Sequence, residues 1–354
     1  MLEVRWERMF PDQLEAAFAA SPVAYFAYGL CEPHGVQNTL GLDILKAHAI
    51  CCRAAQTHGG IVAPPDFWHV HELGGYAKWA EGAVGEVERS WLTCMPPWQH
   101  FKNVLYHIRQ ADRLGFHAAI FVTGHYGPNW QDLKTMLELV QPHVGTKLYG
   151  LPDFEANDPG FDSDGKSGGD HAGKVETSLL WALLPECVDV SRIPPESDVG
   201  PHFAMGGNAR ESDRQVGERM VADEVRWLGE KSRELLSDYD SQNPTHSLIT
   251  FEDVEILWEN VVGPKMKDFL SMIDVPEGGE PPAEDSVWSV NKPGWKGMTA
   301  DRAMSGLCDE PYWFGVHVYR PPVADMRNVL ADMAAMKSLG MNLVNLQSIW
   351  SWEN

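Results

Sequence analysis

Short continuous apolar runs alternate along this chain with stretches whose hydrophobic residues recur every three or four positions, the spacing that lines one face of a helix. Residues 23–29 read as a buried strand, 42–57 as a helix and 60–63 as a short strand. A long loop carrying Trp68-His69-Val70-His71 follows, then a helix over 98–114, a strand over 118–122, a helix over 130–140 and a strand over 146–149. The Gly- and Asp-rich segment 153–170 is a second long loop; such loops in compact domains are often functional. Helices over 173–184, ended by Pro185, and over 215–236, on the outside, complete this part. Strands interleaved with helices predict an α/β layered fold.

The chain continues past this pattern. A Pro/Glu/Gly-rich linker at 276–293 leads to an apolar strand at 313–319, a helix at about 323–339 and a second strand at 342–346. With 354 residues, against ~100–200 for one ordinary domain, the expected division is a main domain over 1–245, an irregular linker over 246–300 and a partial βαβ unit over 301–354.

Composition removes several function classes. Hydrophobic residues make up 44% of the chain, but no apolar run approaches the ~20 residues that span a bilayer. Residues 1–10 mix acidic and basic side chains and precede an amphipathic helix, not a signal core, so a cytoplasmic protein is expected. The formal charge of -22 repels polyanions, and no Lys/Arg stripe offsets it, which argues against nucleic acid and anionic membranes as partners. The six cysteines, Cys31, Cys51, Cys52, Cys94, Cys187 and Cys308, have neither metal-site nor disulfide-framework spacing and read as reduced thiols.

The chemistry lies in oxygen and nitrogen donors. Glu32 and His34 flank Pro33, which disfavours helix; in an extended segment both side chains leave on one side. Asp43 begins the next helix, where the positive end of the helix dipole favours an ionised carboxylate. His125 falls just past the carboxyl end of strand 118–122, the edge at which open α/β sheets bind ligands. Four such donors with no thiol suit a divalent cation such as zinc, manganese or iron. His171 precedes a helix whose first turns contain Glu176; by themselves these are as readily a cap and a surface charge as a catalytic pair. Phe67, Trp68, His69, His71, Tyr76 and Trp79 either wall a substrate pocket or pack a long loop. Asp162, Asp164 and Asp170 lack the closing glutamate of a calcium loop and read as solvated charge.

Glu32-Pro33-His34-Gly35, Gly41-Leu42-Asp43, the Gly-His-x-Gly-x-Asn turn from Gly124 to Asn129, and His-Ala-Gly-x-x-Glu-Thr-Ser from His171 to Ser178 together resemble the creatininase family of metal-dependent amidohydrolases. The resemblance covers residues 1–236. It implies a three-layer α/β/α sandwich with a mainly parallel sheet, assembled as a homohexamer, with one or two divalent ions, zinc first and manganese or iron as alternatives, at the strand ends. Glu32, Asp43 and His125 match the ligands of the first ion, and His34 with a bridging Asp43 those of the second. His171 matches the active-site histidine, Glu176 the carboxylate of the same motif, and Tyr126 a substrate contact; Trp68 and His71 are further candidates for the substrate wall.

The sequence departs from the family pattern at three places. Gly127 stands where a second-site glutamate follows the metal histidine, Lys174 where many members carry a glutamate, and Ser167 where a tryptophan precedes the motif histidine. These changes argue against creatinine itself as substrate. The expected reaction is cleavage of a C–N bond in a cyclic amide or formamide of a small-molecule substrate by metal-bound hydroxide, since a cation lowers the pKa of its water from 15.7 toward ~7. His171 would move the proton to the departing nitrogen.

The C-terminal wording, Phe314-Gly-Val-His-Val-Tyr319-Arg-Pro-Pro, then Asp325-Met and Met336-Lys-Ser-Leu-Gly-Met-Asn342, resembles the opening βαβ of β-galactosidase-like barrels, which need ~250 residues when complete. It is a truncated fusion, a chain boundary, or a retained appendage docked on the main domain or a neighbouring subunit. The alternative function is a carbohydrate-related binding or scaffold protein with a degenerate metal site.

Overall fold

The computed structural model describes residues 2–71, 74–127, 129–157, 170–241, 246–272 and 285–288, and the backbone of 315–320 and 343–348; within 74–78 too the description is of backbone. The chain divides into two compact units, Met1–Gly297 and Met298–Asn354, each described by itself.

The first unit opens with helix α1 (Pro11–Ala20), strand β1 (Val23–Tyr28), helix α2 (Leu42–His58) and strand β2 (Ile61–Val62). Next come the two-residue strand β3 (His69–Val70), helix α3 (Gly74–Val84), strand β4 (Cys94–Met95) and helix α4 (Pro97–Leu114). Strand β5 (Ala118–Thr123), helix α5 (Asn129–Val140), strand β6 (Lys147–Pro152), and helices α6 (Lys174–Leu183), α7 (Arg214–Asp238) and α8 (Phe251–Leu257) complete it.

Among the described residues, the main sheet has the order β2-β1-β5-β6 and is parallel throughout. Every residue of β1 and β5 is buried, as expected of strands covered on both faces. Alternation then sorts their side chains. Ala24, Phe26, Tyr28, Ala119 and Phe121 face α4 and α5 through Phe101, Leu105, Ile108, Leu133 and Met136. Val23, Tyr25, Ala27, Ile120 and Val122 face α2, α6 and α7 through Ile44, Ile50, Leu179, Val221 and Leu228. The result is the three-layer α/β/α sandwich expected from the sequence.

Three expectations change. The supposed loop around Trp68 to His71 contains β3, which pairs in parallel with β4 (His69 with Cys94, Val70 with Met95), and helix α3 follows it. Two-residue strands carry no readable periodicity, and the three glycines of α3 disguise its helical spacing. Residues 246–272, expected as irregular linker, instead hold α8, capped reciprocally by Thr250 and Asp253, and contribute buried Leu248, Val254, Trp258, Met266 and Phe269 to the core. Asp170, expected as solvated charge, accepts hydrogen bonds from the Val175 and Glu176 backbone N–H groups at the start of α6. Asp162, Asp164, Ser167 and most of the linker 276–293 lie outside the described residues.

In the second unit, β7 (Gly315–Arg320) and β8 (Leu343–Ser348) pair in parallel in continuous register. The helix expected at 323–339 lies outside the described residues. No described helix is long and apolar enough to cross a membrane.

Glu224 of α7, 1% exposed, accepts hydrogen bonds from the Ala156 N–H at 2.7 Å and the Asn157 amide at 3.0 Å, holding the turn after β6. Burial, aided by the charge of Asp153, pushes its carboxyl from 4.5 up to about 9. The folded form therefore keeps a proton that the unfolded chain releases above pH 4.5, so this group subtracts stability progressively as pH rises toward 9. Glu224→Gln is expected to gain on the order of 2–3 kcal/mol over wild type at pH 7. Urea unfolding at pH 7 and at pH 4.5 checks this, the gain vanishing at the lower pH.

Candidate metal centre

Helix α2 approaches the carboxyl ends of β1 and β5 so closely that glycine is required on both sides. A Cβ on Gly29 would stand 2.8 Å from the Asp43 Cβ, and one on Gly124 2.7 Å from the Asp43 carbonyl carbon. The two glycines thus set the first turn of α2, with Asp43, between the loop after β1 and the turn after β5. Glu32 and His34 come from the former and His125 from the latter.

These side chains meet in the interior. Glu32, His34 and Asp43 are each at most 1% exposed, and His125 is 5% exposed. Asp43 spans the group: Oδ1 lies 3.2 Å from His34 Nε2 and Oδ2 3.3 Å from His125 Nδ1. Glu32 Oε1 is 2.9 Å from His125 Nδ1, and Glu32 Oε2 is 3.1 Å from His71 Nε2. Glu176 Oε2 stands 3.6 Å from His34 Nε2. Donor atoms close enough to share an ion fall into three sets: Glu32, His71 and His125; His34, Asp43 and Glu176; and Glu32, His34 and His171.

The donor set fits a divalent cation. His34 donates from Nδ1 to the Glu32 carbonyl oxygen at 3.1 Å, which turns Nε2 toward the carboxylates, the arrangement typical of an imidazole that binds metal once Nε2 is deprotonated. That Nε2 and both Asp43 carboxylate oxygens are buried without a hydrogen-bond partner. Buried carboxylates at this density persist only beside positive charge, and the pKa shifts report the same field. Burial opposes protonation of His34, yet Asp43, Glu176 and Glu32 raise it to about 9. Burial opposes it at His125 too, and Glu32 and Asp43 raise it well above its ordinary value. Burial would raise the Glu32 carboxyl, but His125 and His71 hold it well below the usual range; for Asp43, His34 and His125 overcome burial and hold it at about 2.

His171 borders this group. Its ring stacks on His34 with centroids 4.4 Å apart, and Nε2 donates to the Pro33 carbonyl oxygen at 2.8 Å. Burial and the neighbouring His34 lower its pKa, so Nδ1 is the nitrogen available to accept a proton. Trp79 stands edge-on to the same ring at 4.9 Å. Both open onto a cavity of about 410 Å³, whose other walls include Glu196, His202, Met205 and Arg210. The segment that supplies His202 and Ala204 to this lining is strained: His202, Phe203 and Ala204 all have positive φ, 48°, 60° and 62°, a conformation costing about 1–3 kcal/mol at each non-glycine residue. The Phe203 carbonyl oxygen accepts the Gly35 N–H at 2.6 Å, tying this wall to the Glu32–His34 loop.

The other sequence candidates fall elsewhere. His71 is buried against Glu32 and so joins the donors. Tyr126 donates its hydroxyl to Asp153 at 2.9 Å. Trp68 is 53% exposed and is not among the cavity's lining residues. Lys174 pairs with Glu211 on the surface at 3.1 Å. Lys46 and Asp153, both fully buried beside Glu176, went unremarked in the sequence. The available signal was a lysine on the apolar face of α2, in line with Asp43 and Ile50 at helical spacing.

The family model described as "Creatininase: Creatinine amidohydrolase" matches residues 7–232. The chain belongs to the creatininase family. Membership makes it a hydrolase acting on C–N amide bonds. A creatinine amidohydrolase from Pseudomonas putida is 26% identical over 262 residues, 66% of this chain and 95% of that protein. A manganese form of creatininase superposes with a TM-score of 0.51 at 22% identity, over 66% of this chain and 98% of that one. A mutant creatininase of Zn–Zn type gives 0.51, 22%, 66% and 98%. These structures share the fold with this chain.

A cation must displace the protons on His34 and His125. Its affinity is therefore expected to rise with pH through the neutral range, flattening near pH 9 for the His34 contribution, and binding should release protons. Calorimetric zinc titrations of chelator-treated protein at pH 6, 7 and 8, in buffers of differing ionisation heat, check both. Asp43→Ala should abolish stoichiometric binding.

Proposed function

We infer that this creatininase-family hydrolase is a cytoplasmic amidohydrolase that opens a small cyclic amide, or cleaves a formamide, at a centre of two divalent ions, with zinc or manganese the leading candidates. The observation that carries the reading is the junction of the donor group with the 410 Å³ cavity at His171. Glu32, His71 and His125 would hold one ion and His34 and Glu176 the other, with Asp43 between them, its two oxygens directed to opposite sides. Ions held there supply an acidified water and polarise a carbonyl.

The chain's own residues do the rest. His171, neutral and anchored through Nε2, takes a proton at Nδ1 and returns it to the departing nitrogen. Its stack on His34 keeps that nitrogen beside the donor group. Trp79 and the 202–204 wall bound the cavity and limit the substrate to a small, compact molecule. Tyr126, turned toward Asp153, supports the donor group from behind rather than meeting substrate. The convergence of buried donors into three possible ion-binding groups favours this reading over a carbohydrate-binding protein with a degenerate site. A homohexameric assembly is part of the same reading, by family resemblance. For the C-terminal unit, the parallel β7–β8 pairing, which requires a crossover connection, supports the barrel-like βαβ reading; no glycosidase activity is proposed for it.

Metal-reconstituted protein is expected to hydrolyse a member of a panel of cyclic amides and formamides that includes creatinine. His171→Ala should lower kcat/KM by ~10²–10⁴ with unchanged metal content. A fully loaded protein inert on the whole panel, or a His171→Ala variant of undiminished activity, would refute the assignment.

A further inference from the structure

We propose that Lys46 is a positioning residue that fixes Glu176 as the carboxylate of the His34-side ion. The inference rests on the two-ion reading above.

Lys46 is fully buried, and an ammonium has three N–H groups to satisfy. Nζ donates to the Gly124 carbonyl oxygen at 2.5 Å, to Asp153 Oδ1 at 3.3 Å and to Glu176 Oε1 at 3.2 Å. It also lies 3.8 Å from the centre of the Tyr126 ring. One atom on α2 thus joins the turn carrying His125, the end of β6 and the first turn of α6. Burial alone would discharge the amine, and Asp153 and Glu176 more than reverse that.

The consequence falls on Glu176. With Oε1 held by Lys46, Oε2 accepts the Ala172 N–H at 2.7 Å and remains turned toward His34. Glu176 therefore presents a single oxygen in a fixed direction. Lys174, in the same turn of α6 as Glu176, is engaged by Glu211 at the surface and does not compete with Lys46 for it. A purely structural Lys46 would serve Asp153 equally well, but its loss would leave ion binding untouched.

The test is zinc binding by chelator-treated, full-length protein, measured by competition with a chromophoric chelator. Wild type is expected to bind two equivalents. Lys46→Met should keep one tight ion and weaken the other at least tenfold, within the ~10–100-fold range for removal of an outer-shell partner. Added to Glu176→Gln, the same substitution should change zinc affinity less than twofold, because both act through one carboxylate. If Lys46→Met does not fold, Lys46→Met/Asp153→Asn removes the ammonium together with a carboxylate it neutralises and carries the same expectation. Two ions bound at wild-type affinity in the variant would overturn the role of Lys46 alone. Fewer than two in wild type would overturn the two-ion reading, before any variant is made.

Discussion

Carboxylates gathered out of water around a shared gap govern this molecule. Glu32, Asp43 and Glu176 lie beside one another in the interior with Asp153 close behind, and their charge is tolerable only opposite cations. Like charges in this setting repel several times more strongly than in solvent, since the effective dielectric near ~20 replaces ~80. The imidazoles of His34 and His125, the ammonium of Lys46 and a divalent ion all answer one electrostatic demand. Anything that weakens one of them shifts the load onto the others.

The backbone makes that gathering possible. Parallel strands deliver loops to a common edge, and the all-buried β1 and β5 leave the sheet side by side in register, Tyr28 opposite Thr123. Gly29 and Gly124 then admit the start of α2 between those exits. The stability needed to hold like charges together comes from the two apolar layers on either face, not from the site. Phe26, Phe121 and Phe101 on one side, and Tyr25, Ile44 and Ile50 on the other, supply the burial that outweighs local repulsion.

Much of this was legible in the sequence, for identifiable reasons. Continuous apolar runs announced β1 and β5, and three-to-four spacing announced α2, α4, α5 and α7 to within a few residues. Glu32, His34, Asp43 and His125 stood out because proline, a helix start and a strand end constrain where their side chains can go. Other features had no comparable local signature. The two-residue β3 and β4 are defined by a partner distant in sequence. Pairing of His71 with Glu32 depends on where β3 lies relative to the loop after β1, two segments distant in sequence. Lys46 has no local signature, because its three acceptors, Gly124, Asp153 and Glu176, come from segments far along the chain. Residues 246–272 were obscured by short helical segments broken at Pro264, although Thr250 and Asp253 form a readable cap.

The left-handed run His202-Phe203-Ala204 divides the labour of the molecule. Donor residues are anchored to the sheet edge by close-packed glycines and shared hydrogen bonds, so their spacing tolerates little variation. The cavity wall formed by 202–204 belongs to no strand and grips the donor loop at Gly35 through one carbonyl. On the proposed reading, exchanging that wall would redirect which molecule is admitted while the donor group stays as it is, leaving selectivity and chemistry to vary independently.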